Sequence, residues 1–225
     1  ALRSEQDLKF RNLSGTATLH GEIFADVGTL TTRVRLTGFS EAASMILQEF
    51  DFQLWGGGRI LYEGVTRFGF FPQKALDDQV GLRGAAARAW TPDRELKPQV
   101  VVSIPPLRPQ DVEPGERPTE SGLLLPARAI SMLDNVSYHP DGGAAGLGWI
   151  QGSKAVVADD WFFAAHFFED PVIPGSLGLE AFLQLLKIVA VERFGEKVAT
   201  HRFEPIAVGR KHTWLYRGQV IPTDA

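Results

Sequence analysis

The first third of the chain is written in runs where apolar and polar residues alternate. Thr16-Ala17-Thr18-Leu19-His20-Gly21-Glu22-Ile23 and Thr31-Thr32-Arg33-Val34-Arg35-Leu36 have the two-residue period that sends every second side chain to one face of a strand. Two longer runs follow, Ile46 to Trp55 and Arg59 to Val65, separated by Gly56-Gly57-Gly58. Glycine enters the positive-φ region without the clash other residues meet, so the triplet predicts a tight reversal and its flanks predict a long β-hairpin. Residues 15–71 are therefore expected to form an antiparallel sheet with one buried face. A short helix is expected to follow, over Gln73 to Gly81.

The pattern breaks between Ala85 and Pro126, where prolines stand at 92, 98, 105, 106, 109, 114, 118 and 126 among charged residues. Proline lacks the backbone N–H and fixes φ, which disfavours helix and central strand alike. Residues 85–122 read as a linker, with a short extended piece at Val100-Val101-Val102. It separates an N-terminal sheet segment, 1–84, from a C-terminal segment, 123–225.

In the second segment Leu177 to Phe194 predicts a helix. It has no internal proline, sets Leu179, Leu183, Leu186 and Ala190 on one stripe, and sets Glu180, Gln184 and Lys187 on the next. Pro174-Gly175-Ser176 occupies the start, with Ser176 as the expected N-cap, and Gly195 is the expected terminator. A weak internal repeat joins the two segments: Leu19-His20-Gly21-Glu22-Ile23-Phe24 matches Tyr216-Arg217-Gly218-Gln219-Val220-Ile221 in pattern. The second copy stops where the first runs on into its hairpin, which is read as a chain that ends, or was cut, inside a repeated unit.

Composition narrows the function. With 225 residues and 44% apolar side chains the chain can bury a globular core. A net charge of -4, with 23 Lys and Arg scattered singly or in pairs, argues against nucleic acid as a partner. No run of 18 apolar residues spans a bilayer and Ala1-Leu2-Arg3-Ser4-Glu5 lacks the apolar core of a signal peptide, so a cytoplasmic protein without membrane partner is expected. The absence of cysteine excludes disulfides, thiolate nucleophiles and cysteine-based zinc sites. The histidines show no metal-ligand spacing, so no metal is expected, and the glycine clusters lack a phosphate-binding continuation.

Chemistry is concentrated between Asp160 and Gln184. There an imidazole, His166, stands among aromatics, followed by a proline-fixed turn, a helix start, and a carboxylate, Glu180, one turn inside that helix. Removing a proton from the carbon beside a thioester needs a base that works near neutrality, which histidine supplies. It also needs donors for the charge that develops on the carbonyl oxygen, which backbone amides around Gly175 and Ser176 supply at the positive end of the helix dipole. Glu180 in its acid form then protonates the departing hydroxyl.

His166-Phe-x-x-Asp170-Pro171-Val172-x-Pro174-Gly175-x-Leu177-Gly178-Leu179-Glu180-x-x-x-Gln184 resembles the signature of bacterial 3-hydroxyacyl-ACP dehydratases of the 3-hydroxydecanoyl type. Phe68-Gly69-Phe70-Phe71, Ala75 to Leu82 and Tyr138-His139-Pro140-Asp141-Gly142-Gly143 are similar to the tandem dehydratases of polyunsaturated fatty acid and related polyketide synthases. The resemblance implies an α+β hotdog fold, an antiparallel sheet wrapped around a central helix. Residues 1–84 would be later strands of a first unit, and 123–225 the catalytic unit with its helix. The two pieces are complementary and could close as one permuted hotdog, an expectation that two separate incomplete sheets would count against.

By position, the resemblance implies His166 as base, Glu180 as acid, the Gly175 amide as carbonyl donor, Gln184 as support for the acid and the Val172 carbonyl as orienter of His166. Phe163, Phe167 and Phe182 would line the acyl tunnel. Glu180 departs from the Asp of the decanoyl-type enzymes and matches the shorter-motif members, which argues against isomerase activity. In the family the histidine of one hotdog works with the acid of an adjacent one, so a homodimer or neighbouring hotdog is implied. The partner is acyl carrier protein, and no cofactor is implied beyond the phosphopantetheine that carries the substrate. The competing readings are a non-catalytic hotdog that supports a synthase or grips its carrier protein, and a thioesterase.

Overall fold

The computed structural model of the chain describes residues 7–42, 44–92, 98, 100–103, 117–118, 124–125, 130–197, 200–201 and 203–224. Its elements run β1 (Leu8–Leu19), β2 (Thr31–Ala42), β3 (Met45–Gly56), β4 (Arg59–Pro72), α1 (Gln73–Asp77), α2 (Ala85–Arg88), β5 (Val100–Ser103), β6 (Arg117–Pro118), β7 (Leu124–Leu125), β8 (Asn135–His139), β9 (Trp149–Ser153), α3 (Trp161–Ala165), α4 (Gly175–Phe194) and β10 (Lys211–Leu215). They divide into two compact units, Ala1–Arg83 with Glu204–Gly218, and Gly84–Phe203 with Gln219–Ala225. The expected linker 85–122 falls largely outside the described residues. Its extended piece at 100–102 is present in β5.

The first unit is a five-stranded antiparallel sheet in the order β10-β1-β4-β3-β2. The expected β3–β4 hairpin forms, and it turns on Gly57 and Gly58, both left-handed at φ 56° and 77°, the conformation a two-residue turn needs to match the strand twist. Directly paired residues share a face. The registers Ala17↔His212, Ala17↔Gly64 and Phe52↔Gly64 define one face, and Thr18↔Glu63↔Gln53 with Arg35↔Asp51 define the other. Rings crowd the first face: Phe50 meets Phe68, Phe68 stacks on Phe10 at 5.0 Å, and Phe52 meets Tyr62 at 5.3 Å. The second face carries cross-strand ion pairs, Arg35 with Asp51, Arg67 with Glu49, and His20 with Glu63. Alternation has thus put these ion pairs on one side and this ring cluster on the other, with Trp55 beside Gln53 and Arg33 on the charged side.

Two features of this sheet go beyond its pattern. The edge strand β2 is exposed at every position but Gly38, and Val34, Leu36 and Phe39 are 51–61% accessible. At its centre, small residues let strands and rings close up: a Cβ on Gly64 would run into the Thr16 carbonyl and Ala17, and one on Gly15 into the Trp214 indole. The helix expected over Gln73 to Gly81 is shorter, ending at Asp77. Leu76 is its only buried residue, and one anchor cannot stabilise a longer isolated helix.

In the second unit, β5-β8-β9 form a three-stranded antiparallel sheet against which α4 packs, while β6 and β7 pair with each other. Leu133, Val136 and Ile188 form one core cluster, joined by Ile150, Leu185 and Val191. Met132, Phe162, Phe163 and Leu177 form another, and Ala181 touches both. The face α4 buries is therefore Leu177, Gln184 and Ile188, not the expected stripe, of which Leu179 and Leu186 are 40% and 52% exposed. The helix carries apolar residues around most of its circumference, so spacing alone did not select the inward side.

Both ends of α4 also differ from expectation. Pro174, at φ -53° and ψ 129°, occupies the N-cap and Gly175 is the first helical residue, so Ser176 lies inside the helix. Proline's ring holds the φ the entry needs. Gly195 follows at φ -54°, right-handed, and the chain continues as a 3-10 turn, Gly195–Lys197, instead of reversing through a left-handed glycine. The internal repeat reappears as structure: β1 ends at the first residue of one copy, β10 just before the other, and short 3-10 turns, Ala25–Val27 and Pro222–Asp224, come at the same place after each. The C-terminal segment so contributes β10 to the N-terminal sheet, while β8 and β9 keep a ladder of their own.

The crowding at Gly64 sets a test. Gly64→Ala places a methyl against backbone that cannot rotate away and is expected to lower stability by about 1–3 kcal/mol, read as a fall in the denaturant midpoint at unchanged slope.

Candidate functional site

The segment that carries the candidate chemistry is bent into a closed loop between α3 and α4. Helix α3 ends when the His166 N–H bonds to the Phe162 carbonyl, 2.9 Å. From there the chain doubles back on itself: Phe167 and Asp170 exchange backbone bonds of 3.0 and 3.2 Å, and the Val172 N–H reaches the His166 carbonyl at 2.9 Å. Glu169 sits at the tip with φ 54°, a left-handed conformation that a non-glycine residue holds only when its surroundings hold it. Val172, 3% exposed, anchors the return, and the Ile173 N–H bonds the Val220 carbonyl at 2.9 Å.

His166 is fixed through its side chain as well. Its Nδ1 donates to the Val172 carbonyl at 2.9 Å, and Phe167 stacks on the ring with centroids 3.7 Å apart. A carbonyl only accepts, so the neutral imidazole carries its proton on Nδ1 and leaves Nε2 as a bare, basic nitrogen. Orientation and tautomer thus follow from one contact.

Helix α4 starts directly after this loop. Its first N–H groups have no carbonyl of the same helix to bond, and its first turn holds no acidic residue. The amides at Gly175 and Ser176 form its positive end. One turn further, Glu180 is half-buried and receives a 2.9 Å hydrogen bond from Gln184 Nε2. Gln184 is fully buried and uses its whole amide: Nε2 also donates to the Ile130 carbonyl at 2.8 Å, and Oε1 accepts the Met132 N–H at 3.0 Å.

The structure therefore joins His166 to Val172 and Phe167, and Glu180 to Gln184, but among the described residues no hydrogen bond or ion pair joins His166 to Glu180. The aromatic residues separate. Phe163 is 5% exposed and belongs to the core, whereas Phe182 is 64% exposed on α4 and Phe168, at the loop tip, 89%. Among the described residues no cluster of three or more His, Asp or Glu side chains suits a metal ion, and no helix is long and apolar enough to cross a membrane.

Sequence reasoning passed over several groups. Arg193, in the last turn of α4, donates to the Tyr138 hydroxyl at 2.8 Å and to the carbonyls of Pro140 and Leu147, locking the helix end to the β8–β9 loop. Its place near a helix C-terminus, where unpaired carbonyls attract cations, was the available signal. His139 is 5% exposed and packs against Trp90 and Trp149, which also touch each other. In the first unit, hydrogen bonds from Gln53 and then His20 hold the Glu63 carboxyl below its usual range.

Residues 125–225, the segment that holds His166, Gly175, Glu180 and Gln184, match the model of the FabA-like domain family. Nearly the whole chain, 97%, is similar to a subunit of the polyunsaturated fatty acid synthase of a Thraustochytrium species, with 32% identity over 235 aligned residues, and spans 15% of the length of that relative. Among solved structures, HtdX from Mycobacterium tuberculosis aligns over 94% of this chain and 62% of its own at a TM-score of 0.38 and 13% identity. Full-length peroxisomal multifunctional enzyme type 2 from Drosophila melanogaster aligns over 94% of this chain and 30% of its own at a TM-score of 0.40 and 13% identity.

Gln184→Ala is expected to cost about 2–5 kcal/mol, since it leaves the Met132 N–H and the Ile130 carbonyl without their partner and opens a cavity. Chemical denaturation measures the loss.

Proposed function

We propose that the chain dehydrates a 3-hydroxyacyl thioester carried on acyl carrier protein to the 2-enoyl thioester. The observation that carries the reading is the His166–Val172 contact, which leaves Nε2 basic in the loop that leads into the first turn of α4. In the proposed reaction Nε2 takes a proton from the carbon next to the thioester carbonyl. The carbonyl oxygen accepts hydrogen bonds from the Gly175 region, where the helix dipole favours negative charge. The C–O bond at carbon 3 then breaks as the acid form of Glu180 supplies a proton, and water leaves.

Gln184 would hold Glu180 in one rotamer, as its 2.9 Å bond allows. Because the two working groups are not bonded to each other within one copy, the reading assigns them to sites shared with a second copy or an adjacent hotdog. Half-buried Phe167, beside His166, would contact the substrate; buried Phe163 would shape the site from behind. No cofactor is required, since both proton transfers run through side chains and the substrate brings its own phosphopantetheine. Relatedness to a polyunsaturated fatty acid synthase component supports a carrier-bound acyl substrate.

The test is incubation with a 3-hydroxyacyl thioester, followed by enoyl absorbance. His166→Ala is expected to lower the rate by about 10²–10⁴-fold with an unchanged circular dichroism spectrum, and Glu180→Gln to lower it as well. Mixing His166→Ala with Glu180→Ala protein is expected to restore part of the activity through hybrid sites. Absence of enoyl product from the intact chain would leave carrier binding as the function, and release of free thiol would make it a thioesterase.

A further inference from the structure

The aromatic face of the first unit's sheet holds polar contacts among its rings: Trp214 donates to Asn12 and Asn12 to Thr66, and a third contact joins Tyr62 to His212. Tyr62 on β4 and His212 on β10 are separated by β1 and meet above it, with Tyr62 Oη and His212 Nε2 2.8 Å apart. The two rings are nearly parallel, 6° between planes and 5.6 Å between centroids. Phe52 flanks Tyr62 at 5.3 Å, and Trp214 flanks His212 at 6.0 Å. Beneath them lie Ala17, 2% exposed, and Gly64, whose small size leaves room for rings to lie across the strands.

Burial fixes where the protons are. His212 Nδ1 is buried with no hydrogen-bond partner. An orphaned buried N–H is rarer than an under-satisfied acceptor, so Nδ1 is the bare nitrogen and Nε2–H donates to the Tyr62 oxygen. The Tyr62 hydroxyl hydrogen is then free for another acceptor. Burial, and next to it the neighbouring Tyr216, push the Tyr62 phenol above its ordinary value, so the group stays a donor through neutral pH. The described ion pairs of this sheet, Arg35–Asp51, Arg67–Glu49 and His20–Glu63, are on the opposite face. A matching ligand has an apolar body and one uncharged oxygen acceptor.

We propose that the Tyr62–His212 pair binds the carbonyl oxygen of a neutral ester or thioester whose apolar chain lies along Phe52 and Trp214, with Tyr62 donating the hydrogen bond. The site lies wholly in the first unit and does not depend on the role assigned to His166.

The experiment follows the His212 ring nitrogens by NMR in the full chain during titration with three probes: S-octanoyl-N-acetylcysteamine, the matching octyl thioether without the carbonyl oxygen, and octanoate. The thioester is expected to shift these signals and to bind about three- to tenfold more tightly than the thioether, the worth of one neutral hydrogen bond. Tyr62→Phe is expected to bind thioester and thioether alike. Equal affinity for the two in the wild-type chain, a thioester that leaves the His212 signals in place, or tighter binding of octanoate would each overturn the proposal. The probe comparison stands even if Tyr62→Phe fails to fold. No turnover enters the readout, so a negative result here is distinct from a failure of dehydration.

Discussion

One buried amide sets the geometry of the second unit. Gln184 is removed from water, and a buried primary amide is tolerated only when its donors and acceptor are met. Three partners meet them: the Ile130 carbonyl, the Met132 N–H and the Glu180 carboxyl. The bonds to backbone fix the rotation of α4 about its axis, because no other rotation brings this amide to the chain at 130–132. That rotation decides which residues face the core. It also decides that Glu180 points where Gln184 can hold it.

The same economy of contacts governs the loop before the helix. Val172 bonds His166 twice, its N–H to the main chain and its carbonyl to the ring. Moving either residue disturbs both bonds, so the tautomer of His166 is tied to the shape of the whole loop. Arg193 performs a related task at the far end of α4, where it joins the helix to the β8–β9 loop. The helix is thus held by polar contacts at its middle, through Gln184, and at its C-terminal end, through Arg193, with apolar packing of Leu177 and Ile188 beside them.

The sequence disclosed those parts whose cause is local. The alternating runs and the glycine triplet marked the β3–β4 hairpin because side-chain period and positive φ are properties of a few adjacent residues. The motif around His166 named the pairs His166–Val172 and Glu180–Gln184, and the structure contains both contacts. The inward face of α4 was not legible. Leu179, Leu183 and Leu186 are as apolar as Leu177, Leu185 and Ile188, and the choice between them rests on a polar residue bonding backbone more than fifty positions away. His212 was likewise opaque, since its partner Tyr62 lies 150 positions off and meets it only once β10 has paired with β1.

The repeated strand exits carry a difference hidden by their shared letters. Gly21 and Gly218 occupy equivalent places, yet a methyl on Gly21 would press on the Arg59 guanidinium at 2.9 Å, while one on Gly218 would meet open space. The same letters thus stand in different surroundings: a methyl at Gly21 would have only the movable tip of Arg59 to displace, and one at Gly218 would meet nothing among the described residues. What the two exits share is therefore a strand end followed by a 3-10 turn, not a common packing requirement at the glycine.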